Sequence, residues 1–586
     1  MASLHLLDYL ILAAFLLVSV GIGVYHALTG GRQRTTSEFI MANRKLQVIP
    51  TVISMMVSFQ SAIMILGFVA EMYRYGSQAW LWLIVGLLIG LVIVERVFIP
   101  WIFPLKLVSV FEYLELRYQS KAVRVFGSTL GIIAAILYMG VAMFAPSVAL
   151  QVATGLPIEV SVPVMALVCT IYTSLGGMRA VIWTDVFQFI VLMTGLLVIV
   201  VRGVIVVGGI QRVFDIANSE GRIFWITLDF DPRVRHTLWG FLLGWSLAWS
   251  NVYGLSQSAV QRYCATGSLR EARMVVLLNI PLVIATISMV SFIGLTVFAY
   301  YADIGCDPLA SGQISTGNEL LPHFVTQVFA DTKGFYGVFL AILYSGALSS
   351  VSSSLSASAA NTWEDLLKPN LPHLGEYRAA LLNKLIVVVY GGVAIGVAFF
   401  VSAIPGPITQ VIMALSSSVA SPLFGVFVLG GLFRRANWKG ALVGGVVGLC
   451  VMMTINMGAL TVKGYNPTLP PTSTDQCQVA FNSTIAPSAV SVTGLSQVFA
   501  LSYLWYLPVG GGVTIIVGLI VSYVTDYFCG REDVKLPDKL FIRMDTIFKF
   551  SSGTDVGQGN EDDVKMSVKK QESVFLNPAM ILEVSI

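Results

Sequence analysis

Apolar residues run along this chain in blocks of about 20, separated by short polar or basic stretches. A bilayer core takes roughly 20 apolar residues per helix. On that ruler the pattern predicts about thirteen spanning helices. They lie near residues 6–28, 48–73, 78–102, 124–153, 159–176, 181–206, 237–261, 274–300, 336–362, 380–402, 406–432, 438–459 and 504–526. The first block is too long for a signal-peptide core, and no small-residue cleavage site follows it, so it reads as a retained span. From about residue 530 onward the chain turns polar and charged, which predicts a disordered tail. The expected fold class is an all-α polytopic membrane protein, with the lipid bilayer as its first partner.

Composition agrees. Of 586 residues, 56% are hydrophobic and 11% charged, and the mean hydropathy is +0.80. A soluble protein carries about 25% charged residues. A net charge of +3 leaves no electrostatic footprint for nucleic acid. The charges sort by loop. Arg32, Arg34, Arg44, Lys45, Lys106, Arg117, Lys121, Arg124, Arg262, Arg270, Arg434, Arg435 and Lys439 belong to loops on one side, which marks that side as cytoplasmic. The N-terminus is then extracellular and the C-terminus cytoplasmic, as in a multi-pass protein of the plasma membrane.

The longest outside loop, about 460–503, holds the sequon Asn482-Ser483-Thr484, an expected glycosylation site. No pair among the six cysteines has metal-site spacing. Cys306 and Cys477 alone fall in outside loops, where two readings stand: a disulfide, or two free thiols. The chain ends Val584-Ser585-Ile586, a form that a carboxylate-capturing adaptor domain accepts.

Nothing in the sequence suits bond-making chemistry. The five His residues form no HExxH-type pair, and no Gly-rich loop carries a phosphate-binding Lys. The chain is therefore expected not to be an enzyme and to need no organic cofactor. Polar groups inside spans carry more information, because hydrocarbon penalises them. Eight serines fall between Ser345 and Ser358. Ser345, Ser349, Ser352 and Ser356 share one helical face, as close helix packing requires. Ser350, Ser353 and Ser354 leave that stripe, and hydroxyls joined by unwound carbonyls can hold Na+. In the second span, Ser58-Phe59-Gln60-Ser61 is either a hydrogen-bonding cluster facing the bundle or an interrupted helix. Gly176-Gly177 reads as a tight turn. Asp185 beyond it is either an interfacial acid capped by water or Arg179, or a lining of the inner cavity. In the seventh span, Trp249, Tyr253 and Gln257 alternate aromatic and amide groups. Belt aromatics are the usual reading, but Trp249 lies deep.

Four stretches, YSGALSSVSSSLSA from Tyr344, YTSLGGMRAVIWTDVFQ from Tyr172, VYGLSQSAVQRY from Val252 and SFQSAIMILGFVAEMYRYG from Ser58, together resemble the sodium/solute symporter family. The resemblance covers about residues 6–530 and is closest to the branch of sodium-coupled monocarboxylate, multivitamin and iodide symporters. It implies a LeuT-type core of two inverted five-helix repeats, 48–207 and 237–432. Residues 1–47 would precede this core, and two peripheral helices with the long extracellular loop would follow at 433–529. A cytoplasmic tail would occupy 530–586. In such folds the first helix of each repeat is broken where substrate and ion bind.

Carried over by position, the resemblance puts co-transported Na+ on the carbonyls of Val57, Gln60 and Gly346 and the hydroxyls of Ser349 and Ser350. It puts substrate among Phe59, Ser61, Met64, Trp82, Phe144, Trp249 and Met413, and an inward pathway along Asp185, Tyr253 and Gln257. Two pocket residues depart from the family pattern: Met64 stands where the iodide branch has Gln, and Phe144 where relatives carry Tyr. Ser416-Ser417-Ser418-Val419 also replaces a glycine-containing stretch. The lost amide and phenol turn the expectation from iodide to a partly apolar organic anion, a monocarboxylate or a vitamin with a carboxylate arm, imported by alternating access. The rival readings are a channel or substrate sensor on the same fold, or a symporter of an inorganic anion such as iodide. No Lys or Arg is expected mid-span, so bound Na+ would supply the positive field.

Overall fold

The computed structural model describes residues 5–29, 33–224, 227–402, 408–462, 468–477, 494, 496–530 and 536–543; side chains at 152–154, 408–415, 460 and 461 are left aside. Asn482 and the C-terminal adaptor motif lie outside the described residues.

The described chain is helical, with no strand among the described residues. In order, the long helices are α1 (Leu6–Leu28), α2 (Val48–Phe59), α3 (Ala62–Tyr75), α4 (Gln78–Ile93), α5 (Lys121–Thr154) and α6 (Ile158–Val207). Then come α7 (Ser246–Gly254), α8 (Gln257–Tyr263), α9 (Leu269–Asp303), α10 (Phe335–Asn361), α11 (Glu376–Ser402), α12 (Ile408–Leu432), α13 (Trp438–Thr461) and α14 (Tyr506–Cys529). Backbone N–H and C=O groups must be satisfied within each segment in hydrocarbon, which is why the apolar blocks become helices.

Against about thirteen expected spans, nine helices among the described residues are long and apolar enough to cross a membrane, ten with the bent pair α2–α3. The 50-residue α6 is two spans, because Gly177 breaks it with φ +57° and ψ −154°. α1 packs on both halves: Gly23 lies directly against Tyr172, and Phe15 stacks on Phe187 at 5.5 Å. Glycine is needed at 177, where a Cβ would stand 2.8 Å from the Phe39 carbonyl oxygen. The seventh span is assembled from a π-turn at Gly240–Trp245, α7 and α8. It too is interrupted: Ser256 has extended backbone (φ −69°, ψ 142°) between α7 and α8. The second span is broken between α2 and α3, which meet at a 58° bend. Interruptions at the second and seventh spans are what the family resemblance implies. Short helices that the hydrophobic pattern did not anticipate lie in the connections, at Thr36–Met41, Glu112–Tyr118, Ile210–Ser219 and Leu320–Val328.

At one end of the bundle, a disulfide joins Cys306 to Cys477. Asp307, buried beside it, accepts backbone N–H groups from Leu309 (2.9 Å), Ala310 (3.0 Å) and Thr472 (3.2 Å). Asp307 in turn donates its own N–H to the Ser473 carbonyl (3.0 Å), so the segment 468–477 is laid onto the turn after α9. Arg222 covers the same region. It donates to the Pro470 carbonyl at 2.5 Å and lies 4.3 Å from the centre of the Phe298 ring. Burial pulls its pKa below the ordinary arginine value. Cys477→Ser is expected to remove the mobility difference that wild type shows between reducing and non-reducing gels, while Cys450→Ser, an exposed free thiol, leaves it in place.

The opposite end carries the basic loops. Arg117 donates to the carbonyls of Gly430 and Phe433, both at 2.7 Å, which satisfies the open C-terminus of α12. The segment after α14 crosses the same end: the Leu540 carbonyl accepts from Trp101 Nε1 and from the Tyr113 hydroxyl, each at 3.1 Å.

Candidate ion and substrate site

The break in the second span is held open by a glycine on its neighbour. α2 stops at Phe59, and Gln60 (φ −111°, ψ 77°) and Ser61 (φ −75°, ψ 166°) leave the helical region before α3 begins. Gly346 of α10 packs directly on this stretch. A Cβ there would stand 2.9 Å from Ala62 N, 3.0 Å from Gln60 O and 3.2 Å from Ser61 C, all backbone atoms that cannot rotate aside. Gly346→Ala should therefore push α10 off the break and destabilise the protein by about 1–3 kcal/mol, the scale of overpacking, which a lower melting temperature would read.

The serines of α10 divide by function. Ser350 donates to the Ser58 carbonyl at 3.0 Å, and the hydroxyls of Ser349 and Ser353 lie 3.2 and 2.8 Å from the Ser58 hydroxyl. These three reach across to the last turn of α2. Ser345, Ser352 and Ser354 instead bond back to carbonyls of their own helix, those of Ala341, Ser349 and Ser350. Val57, Gln60, Gly346, Ser349 and Ser350 are thus drawn together at one helix crossing. A helix C-terminus there presents carbonyls beside two hydroxyls, an uncharged oxygen set of the kind a hard monovalent cation accepts.

Next to this crossing the sequence reading missed a charge. Arg262, counted above with a basic loop, is a residue of α8 and wholly buried. Its guanidinium donates to Ser54 Oγ (2.9 Å), Ser58 Oγ (2.8 Å), Ser353 Oγ (2.5 Å) and Asp185 Oδ2 (3.3 Å). Ser54 also donates to Asp185 Oδ2 at 2.5 Å. Asp185 therefore pairs with Arg262 and not with Arg179, and a cation does lie inside the bundle. The physical reason is that a new helix, α8, starts after the break at Ser256 and runs on to Tyr263, past the end of the apolar block. An acid buried in a span needs a counterion; that rule, applied to Asp185, would have pointed to Arg262.

Aromatic rings line the other side of the break. Phe59 meets Tyr253 at 4.8 Å between ring centres, Tyr253 meets Trp249 at 5.6 Å, and Trp249 meets Trp245 at 5.6 Å. Trp249 is 7% exposed, so it is a core residue and not a belt residue. Ser61 is buried at the start of α3 and makes no side-chain cap there. Met64 and Trp82 are half-buried against the main core. Phe144 sits in a small apolar cluster with Val141, Val401 and Ile63, which joins it to α3. The side chain of Met413 is outside the description. Gln257 is occupied elsewhere: its amide accepts from Val110 N and donates to the Val108 carbonyl, both at 2.8 Å, and pins the loop before Glu112–Tyr118.

Toward the disulfide end, the far part of α3 carries a second, partly buried ion cluster that no local pattern singles out. Glu71 accepts from Arg235 (2.6 and 3.1 Å) and lies 2.9 Å from His236 Nε2. Arg235 is stacked between the rings of Tyr75 and Tyr503, at 4.7 and 5.2 Å. Burial alone would depress the Arg235 pKa, but the Glu71 carboxylate outweighs it and holds the guanidinium above its ordinary value. The break thus lies between a fully buried ion pair and a half-buried one.

Residues 39–448 match the Sodium:solute symporter family. The chain is 37% identical to the sodium-dependent multivitamin transporter of Oryctolagus cuniculus, over 90% of this chain and 84% of that one. It is 36% identical to the human sodium/iodide cotransporter (88% and 83% covered) and 34% identical to the human sodium-coupled monocarboxylate transporter 1 (93% and 90% covered). Among solved structures, a Na+-coupled sialic acid symporter in a substrate-bound outward-open state superposes with a TM-score of 0.68 at 22% identity, covering 89% of this chain and 98% of that one. That likeness is one of fold. Its relatives move solutes and the chain is not an enzyme; by the extent of these matches, it belongs to the sodium:solute symporter family.

Proposed function

We propose that this protein imports a small organic carboxylate together with Na+, by alternating access. The observation that carries the reading is the broken second span pressed onto Gly346, with Ser349 and Ser350 reaching its last turn. Na+ would bind the carbonyls of Val57, Gln60 and Gly346 and the two hydroxyls, on the carbonyl-rich end of α2. The substrate carboxylate would lie at the other side of the break, toward the start of α3. Ser61 makes no side-chain cap at that helix end, and a helix N-terminus favours an anion. Phe59, Met64, Trp82, Phe144, Trp249 and Met413 would enclose the apolar part of the substrate. With methionine and phenylalanine at 64 and 144, a partly apolar anion fits this lining better than iodide does.

Na+ arriving from outside would tie α2 to α10 and complete the substrate site, so each ligand would raise the other's affinity by an equal factor. One elementary charge moving through 100 mV supplies about 2.3 kcal/mol before any concentration gradient. The Arg262–Asp185 pair and Tyr253 would form the inner closure, and parting them would release the cargo inward. The repeats would be 48–207 and 237–432. The disulfide end would be extracellular, with glycan on Asn482, and the basic end and C-terminal tail would face the cytoplasm of the plasma membrane.

An uptake panel tests this directly. Labelled lactate, butyrate, nicotinate, biotin, pantothenate and iodide are offered in Na+ and in choline medium. At least one carboxylate should accumulate above its outside concentration in Na+ alone. Equilibration without Na+ dependence would instead indicate a channel, and a ligand-induced signal without flux a sensor. Preference for iodide would overturn the assignment of the apolar lining.

A further inference from the structure

We infer that the side chain of Gln60, separately from its backbone carbonyl, is a specificity-determining group that hydrogen-bonds the carboxylate of the substrate. The inference rests on the transport reading above. It starts from an anomaly in how buried amides are satisfied. Gln60 is wholly buried, and both its Oε1 and its Nε2 lack a hydrogen-bond partner. Several other buried amides in the bundle are anchored. Gln257 uses both ends, Gln261 donates to the Ile40 carbonyl at 2.7 Å, and Asn279 donates to the Val52 carbonyl at 3.2 Å. Gln33 and Gln188 are also unanchored, but neither lies at the break. An amide side chain offers two donors and two acceptor positions. Burial with all of them unused is unfavourable, and such a group calls for an explanation such as a ligand it is built to meet.

Position says which ligand. Gln60 is the one residue between the end of α2 and Ser61, which precedes α3. The hydroxyls on the α10 side of the break are already committed, Ser58 and Ser353 to Arg262 and Ser350 to the Ser58 carbonyl. The rings on the other side, Phe59 and Tyr253, offer stacking surface, and the Tyr253 hydroxyl is itself buried without a partner. An apolar anion entering between them needs a donor for its carboxylate. Met64 supplies none, whereas Nε2 of Gln60, four residues earlier in the chain and across the break, does.

The test compares carboxylates with their own carboxamides, which keep the shape and lose the charge. Na+-dependent uptake of lactate and lactamide, butyrate and butyramide, and nicotinate and nicotinamide is measured for wild type, Gln60→Met and Gln60→Met/Met64→Gln. The readout is the ratio of kcat/KM for each acid over its amide, in which surface level cancels. Gln60→Met should lower that ratio at least 10-fold, and the double variant should restore most of it. A purely structural role would depress acid and amide together and leave the ratio alone. If Gln60→Met does not reach the surface, Gln60→Glu is read on the same ratio, which its negative charge should lower further. An unchanged ratio in a protein whose wild-type uptake is Na+-driven overturns this inference and spares the transport reading. If none of these three acids is carried, the same ratio is read for biotin and pantothenate against their carboxamides, and failure of wild type to carry any of the five acids in a Na+-dependent way overturns both.

Discussion

Replacing Ser349 and Ser350 together by alanine should abolish Na+-stimulated uptake. Each hydroxyl would give the ion one oxygen, and a hydrogen-bond-strength contact to a charge is worth about 1.5–3 kcal/mol. Losing both should raise the Na+ concentration for half-maximal uptake by roughly 100-fold or more, beyond any physiological range. The alternative role of these serines, as small residues that let α2 and α10 approach, is retained by alanine. The double substitution therefore separates ion ligation from packing. Ser345→Ala with Ser354→Ala is the internal control, since both hydroxyls bond to their own helix and not to α2. That pair should change half-saturation by Na+ by less than about 2-fold, because replacing a back-bonded serine costs a helix little.

Asp185→Asn should be the most damaging single substitution in the bundle. It leaves the Arg262 guanidinium fully buried with a neutral partner, and breaking a buried pair in this way costs about 3–5 kcal/mol. The variant should show a melting temperature several degrees below wild type and a much lower surface level. Arg262→Met on the Asp185→Asn background removes the stranded cation and should recover most of the thermal stability. Flux should not recover with it, because the inner closure would then have no ion pair to re-form. Equal melting temperatures for wild type and Asp185→Asn would show that the pair is not structurally coupled and would remove it from the proposed closure.

The sequence made some of this legible and hid the rest for definite reasons. Hydrophobic block length sufficed for most of the spans, since hydrocarbon leaves a backbone few alternatives to the helix, but the interrupted seventh is assembled from pieces too short to cross alone. Ser58-Phe59-Gln60-Ser61 marked the break in the second span, because polar residues in mid-membrane have to be paid for by a structural or functional role. The turn at Gly177 was readable from the paired glycines, though it shrank to a single left-handed residue inside what is otherwise one 50-residue helix. The eight serines could not be sorted by spacing alone. Whether a hydroxyl bonds to its own helix or crosses to α2 depends on which helix faces it, and that is a tertiary fact. Arg262 was misread for a similar reason: one residue beyond an apolar block looks like a loop unless the separate helix α8, begun after the break at Ser256, is seen to carry it. The Glu71–Arg235–His236 cluster joins residues 164 apart in the chain, and no local pattern could have signalled it. Gln257 shows the converse, a polar residue in a functional-looking stretch whose two hydrogen bonds are consumed in holding a loop.

Equilibrium binding of radioactive Na+ to the purified protein tests the ion site without depending on the identity of the substrate. The wild-type protein should bind the ion saturably, with displacement by unlabelled Na+ and not by choline, and the Ser349→Ala/Ser350→Ala protein, matched for thermal stability, should show no saturable binding over the same range. Wild-type affinity in that double variant would contradict the account, because the cation would then be held somewhere other than between the broken second span and α10.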